Sequence, residues 1–252
     1  MEEVLAAAEP YLGSKTVSDL VIGISLIACQ LDNGDIGVSY VLREELPRGC
    51  SNFPFAQHVI GKPASVIATW AISGENALQK AVGTAVLNAA SSEQNLPDDT
   101  LADRPFGVEL RPTDTVGMVG FIGPVVRQIS GSVKQIIAFD KGMSLEESEL
   151  LYPMAKQPEL LATCDIVIIS GTTTINGTID GLLKMCSQAR EIIMVGPSTP
   201  MIIQGWKHTP ITRLAGSFWD KNHKDEIFKV ISLGGGISTI SKYMLKKAVA
   251  IK

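Results

Sequence analysis

"DIVIISGTTTINGTIDGLLKMC", residues 165–186, decides how the chain is read. It opens with an apolar run of strand length and continues through a turn dense in hydroxyls and glycine. Ile179, Leu182, Leu183 and Cys186 then fall at i, i+3, i+4 and i+7, one face of a helix that packs on a sheet. Strand, loop and helix in that order form the repeating piece of a parallel α/β layer.

The same alternation lies on both sides. "TVGMVGFIG" (115–123), "QIIAFD" (135–140), "EIIMVGPS" (191–198) and "ITRLAGSFW" (211–219) read as further strands, and "PVVRQIS" (124–130) starts a helix. The C-terminal part is thus expected to be a Rossmann-like, doubly wound parallel sheet over 111–252.

Upstream, the pattern is mixed. Residues 2–12 suit a helix. "DLVIGISLIACQL" (19–31) and "IGVSYVL" (36–42) flank "DNGD", where Asn33-Gly34 supplies the positive φ angles of a tight hairpin turn. "GKPASVIATWAIS" (61–73) and "NALQKAVGTAVLNAAS" (76–91) read as helices, the second with Leu78, Ala81, Val82, Ala85 and Ala89 on one face. The polar stretch 91–114, with three prolines, reads as a linker. The expectation is an α/β chain with an α+β domain over 1–110 and the Rossmann-like domain after it.

In an open parallel sheet, ligands bind outside the carboxyl ends of the strands. Ser170, Gly171, Thr172 and Thr173 end one strand, and Asn176 and Thr178 lead into its helix. A helix cap needs one or two polar residues, whereas residues 170–181 carry seven, so the loop is expected to line a site for an anion or a polar heterocycle. Asp140 ends the preceding strand about twenty residues after Gly120, where dinucleotide folds place a ribose-gripping acid. However, Gly117, Gly120 and Gly123 are spaced G-x-x-G-x-x-G rather than G-x-G-x-x-G, which speaks against ordinary NAD binding. Ser198 and Thr199, in a Gly-Pro turn, and Asn88, polar on an apolar helix face, complete the candidate set.

The composition narrows the function classes. The 252 residues carry a formal charge of -4 and no basic run suited to nucleic acid. No apolar segment is long enough to cross a bilayer, and the acidic start does not resemble a signal peptide, so a cytoplasmic protein is expected. The four cysteines (Cys29, Cys50, Cys164, Cys186) and three histidines (His58, His208, His223) show neither C-x-x-C nor H-x-x-x-H spacing, so no metal cage of protein side chains is expected. No nucleophile motif stands out. Tyr40, Lys62, Glu75 and Asp140 are the acid–base candidates.

"GKPASVIATWAISGENALQKAVGTAVLNA", "VGMVGFIGPVV", "CDIVIISGTTTINGTIDGLL" and "IIMVGPSTPM" followed by "LAG" resemble, in order, the "putative heavy-metal chelation" family. Its members, of unknown function, join an enolase N-terminal-like domain to a Rossmann-like one. The resemblance implies a site between the two domains and marks Asn88, Thr172, Asn176, Thr178, Ser198 and Thr199 as motif positions. It also raises pterin-like or adenosine-type ligands. Three functions stay open: condensation or hydrolysis of a pterin-, flavin- or metallophore-like metabolite; non-catalytic binding of a metal–chelate complex; and nucleotide-cofactor-dependent oxidoreduction. The cofactor is unassigned and the expected partner is a small molecule, a metal chelate included. The oligomeric state is open, a homo-oligomer included.

Overall fold

The structure, a computed structural model, describes residues 1–46, 49, 53–99 and 104–251. Cys50 lies outside them. Helix α1 (Glu2–Leu12) leads into a meander of β1 (Val17–Ile22), β2 (Leu26–Leu31) and β3 (Ile36–Tyr40). The run 19–31 is thus two antiparallel strands rather than one. It turns at Gly23, whose N–H donates to the Leu26 carbonyl at 2.9 Å. The expected hairpin joins β2 and β3, with Gln30 opposite Ile36 and Leu26 opposite Tyr40.

Two short helices, α2 (Ala64–Ala68) and α3 (Trp70–Ser73), precede α4 (Ala77–Ala90), whose first turn is capped by the Asn76 side chain accepting from Gln79 N–H at 2.9 Å. Of the fourteen residues of α4, only Ala77 and Lys80 are not buried, so it is a central helix rather than one with a single apolar face. It approaches β3 closely at Gly37, where a methyl group would sit 2.0 Å from the Ala85 carbonyl oxygen. Only glycine lets the two backbones come this near.

The second sheet holds β4 (Thr115–Val119), β5 (Gln135–Phe139), β6 (Ile166–Ser170), β7 (Glu191–Val195), β8 (Arg213–Trp219) and β9 (Met244–Ala250), in the order β5-β4-β6-β7-β8-β9. Its first five strands are parallel, and β9 pairs antiparallel with β8. Helix α5 (Gly123–Ile129) connects β4 to β5. Helix α6 (Gln157–Leu161) lies between β5 and β6, and α7 (Ile179–Met185) between β6 and β7. Alternate residues of each strand point to opposite faces. Val116 and Met118 pack with Val125 and Ile129 of α5, while Val167 and Ile169 pack with Leu161 of α6 and Leu182 of α7. The sheet is therefore covered on both sides, as an α/β fold requires.

Near the C-terminus, α8 (Lys224–Ser232) and α9 (Ile237–Ile240) precede β9. Ile227, Phe228 and Ile231 of α8 pack on Leu26, Ala28 and Val38 of the first sheet, so β2 is buried on both faces, by α4 and by α8. The stretch expected as a linker also makes structure. Asp99 N–H donates to the Ala248 carbonyl at 2.8 Å, the carboxylates of Asp98 and Asp99 accept from Ala248 and Ala250 N–H, and Lys247 Nζ donates to the Leu96 carbonyl at 2.9 Å. Residues 96–99 thereby cover the outer edge of β9 over Lys247–Ala250.

Candidate functional site

The chain leaves β4 toward β5 on one side and leaves β6 toward β7 on the other, so the strand order reverses between β4 and β6. Crevices form where neighbouring connections diverge in this way. A cavity of about 150 Å³ lies there. Val119 and Gly120 line it from the end of β4, Phe139, Asp140 and Lys141 from the end of β5, and Ser170, Thr172, Thr173, Asn176 and Thr178 from the loop after β6. Gly120, at φ +87°, turns the chain sharply out of β4, where a side chain would press on Ser170 Cβ at 2.8 Å.

Hydrogen bonds within the β6–α7 loop give it its shape. Residues 171–174 form one turn of 3₁₀ helix, and Asn176 and Thr178 precede α7 rather than lying in it. Thr173 Oγ1 donates to the Ser170 carbonyl and Thr174 Oγ1 to the Gly171 carbonyl, both at 2.8 Å. Thr178 Oγ1 donates to Asn176 Oδ1 at 2.7 Å, and the Ser170 and Thr172 hydroxyls share a bond at 2.8 Å. Much of the hydroxyl density is therefore spent on building a rigid loop.

Asp140 also has a structural task. Its Oδ2 accepts from Phe121 N–H at 2.7 Å and its Oδ1 from Gly142 N–H at 2.8 Å, which fixes the turns after β4 and β5. Residues not foreseen from sequence complete the wall: Leu42 and Glu44 from the segment after β3, Met154 and Gln157 before and in α6, and Leu182 of α7. Lys141 could have been found by the strand-end rule that singled out Asp140. Nothing local to Leu42 and Glu44 announces that their segment reaches the second sheet.

Asn88, Ser198 and Thr199 do not line this cavity. They meet in a buried seam between the sheets. Asn88 Nδ2 donates to the carbonyls of Val38 and Pro197, and Ser198 Oγ accepts from Tyr40 N–H at 2.8 Å. Gly171 is buried against the backbone of Ser198 and Thr199. Asn88 Oδ1 and Thr199 Oγ1 are buried without a hydrogen-bond partner among the described residues. Ser39 Oγ, in the same seam, donates to the Ala81 carbonyl at 2.8 Å. Of the acid–base candidates, Tyr40 is pushed above its ordinary pKa by burial, while Glu75 and Lys62 are exposed and do not line the cavity.

One family model, described as "putative heavy-metal chelation", matches residues 105–250, and a second of the same description matches residues 5–91. The chain belongs to this family. Two of its crystal structures share the fold, both of proteins with unknown function. One, from Pyrococcus horikoshii, gives a TM-score of 0.80 at 18% identity, covering 98% of each chain. The other, from Desulfitobacterium hafniense, gives 0.78 at 21% identity, covering 99% of this chain and 98% of that one. An uncharacterized protein of Methanocaldococcus jannaschii is 33% identical over 108 residues. The match spans 41% of this chain and 41% of that relative.

The family description raises the question of a metal, and the donor set answers poorly to it. Among the described residues, no group of three or more His, Cys, Asp or Glu could hold an ion. Cys29, Cys164 and Cys186 are buried, and burial pushes their thiols up, Cys186 to about 11 and Cys164, which also feels Cys186 and Asp165, to about 12. A soft metal needs thiolate, which these sites suppress. His58 and His208 are exposed, His208 Nδ1 lies 3.0 Å from Glu3, and His223 stacks on Tyr243. The described side chains do not fit a directly held heavy metal.

Proposed function

We propose that the protein binds a small organic metabolite at the strand-order reversal and that its part in metal chelation runs through that molecule, free or as a metal–chelate complex. The observation that carries this reading is the cavity at the ends of β4, β5 and β6, walled by the Ser170–Thr178 loop. At about 150 Å³ it takes a single small ring or one end of a larger ligand. Binding without catalysis fits best, because the loop hydroxyls are held by the loop itself and both oxygens of Asp140 are taken by backbone N–H groups. The spacing of Gly117, Gly120 and Gly123, G-x-x-G-x-x-G, counts against the oxidoreductase reading.

A catalytic reading, condensation or hydrolysis, has one observation in its favour. Glu44 lines the cavity and has no hydrogen-bond or ion-pair partner among the described residues, which leaves it free to move a proton. Native mass spectrometry with elemental analysis of gently purified protein tests the site. An organic mass carried by the wild type and lost in Asn176→Ala supports it. A transition metal bound without organic ligand, and unchanged in the variant, refutes it.

A further inference from the structure

Among the side chains lining the cavity, hydrogen-bond acceptors outnumber free donors. Thr173 and Thr178 each give their only hydroxyl proton to an oxygen of their own loop, so each can offer incoming groups lone pairs alone. Ser170 and Thr172 spend one of their two protons on each other. The charged lining groups are Glu44, Asp140 and Lys141. Lys141 Nζ is held 3.5 Å from Glu45 Oε1, outside the lining, whereas no cation pairs with Glu44 or Asp140 among the described residues. Asn176 Nδ2 and Gln157 Nε2 are the lining amide donors, and the latter is directed to Met154 Sδ at 3.9 Å.

From this we infer that the cavity takes a donor-rich, cationic group, an ammonium or a guanidinium-like amidine, and that Glu44 at its mouth sets that preference. The inference rests on the cavity being a ligand site. A phosphate or carboxylate would meet two carboxylates against one lysine that is already held by Glu45, a balance that disfavours an anion. A planar N–H-bearing cation would instead find acceptors among the lining groups: the Glu44 carboxylate, the Thr173 and Thr178 hydroxyl oxygens, and the remaining lone pairs of Asp140. Leu42, Val119, Phe139, Met154 and Leu182 form the apolar remainder of the wall, which suits the flat faces of such a group.

The test uses ¹⁵N-labelled protein titrated with methylguanidinium chloride, sodium acetate and inorganic phosphate at matched ionic strength, followed at the amide signals of Gly120, Thr172 and Asn176. Methylguanidinium is expected to move all three, with acetate and phosphate inert. Because Glu44 is exposed, Glu44→Gln should weaken the response about two- to fivefold. Glu44→Lys, at the same exposed position, should shift the preference toward acetate. Acetate or phosphate acting at lower concentration than methylguanidinium in the wild type overturns the charge preference and leaves the site intact. A Glu44→Gln titration identical to wild type overturns the role of Glu44. Silence of all three signals with every probe overturns the site together with its preference.

Discussion

Asn88 on α4 donates from one amide nitrogen to the Pro197 carbonyl at 2.7 Å and to the Val38 carbonyl at 2.9 Å. A single side chain thus ties the central helix to β3 and to the turn that ends β7. Asn88→Ala leaves two buried carbonyls without a donor and should cost about 2–4 kcal/mol. Urea denaturation would report it as a lower midpoint at unchanged slope. A loss under about 0.5 kcal/mol would show that these bonds do not hold the seam.

Two glycines should respond in opposite directions. Gly37→Ala drives a methyl group to 2.0 Å from the Ala85 carbonyl oxygen and 2.2 Å from Ala89 N, and should destabilise by about 3 kcal/mol. Gly181→Ala, on the exposed face of α7 with open space around it, should stabilise by about 0.5–1 kcal/mol. Thermal melts of the pair would check both signs.

Asp114 and Arg190 form a two-pronged ion pair, both contacts at 2.7 Å, between the start of β4 and the start of β7. The Arg190 hydrogen bond, helped by Arg111 N–H and opposed by burial, holds the Asp114 pKa below its ordinary 3.8. A depressed carboxyl stabilises the fold above the pKa it has when unfolded and loses that contribution as pH falls through the folded value. Arg190→Ala should therefore cost about 2–3 kcal/mol at neutral pH, less than a fully buried pair because Arg190 is partly exposed. The difference from wild type should shrink as pH drops below about 4. Denaturation curves at pH 7 and pH 3 would show this convergence or its absence.

The thiols work in the opposite sense. Cys164 and Cys186 ionise less readily folded than unfolded, so their contribution is complete below the ordinary 9.0 and is lost as pH rises toward about 11 and 12. In native protein at pH 8, iodoacetamide should leave peptides containing Cys29, Cys164 and Cys186 unmodified and should label them in urea. Rapid native labelling of any of the three, read by peptide mass, would contradict their burial.

Much of the fold was legible because parallel strands buried on both faces announce themselves as apolar runs, and β4 to β7 carry that mark. β9 does not, since "MLKKAVA" mixes lysines into an edge strand whose partner is known only once β8 is placed. The turn between β1 and β2 was hidden for a similar reason: a methyl group on Gly23 would lie 2.2 Å from the carbonyl of Ile231, two hundred residues away in sequence. At the site, the strand-end rule brought out Asp140, Ser170, Thr172, Thr173, Asn176 and Thr178, which do share one cavity. It could not separate them from Ser198 and Thr199, because the same polar turn residues serve a wall or a seam depending on which element packs above them. Glu44 lay beyond reach, since its place depends on how the first sheet docks.

The segment 96–99 was expected to behave as slack rope between two bodies, yet it lies along β9 as a selvedge lies along cloth. Its backbone and two carboxylates occupy hydrogen-bonding positions that a foreign strand would otherwise take. Cleavage within it would therefore do more than uncouple two halves. It would free the hydrogen-bonding edge at Lys247–Ala250, so the joining segment shields part of the sheet's edge as well as connecting its ends.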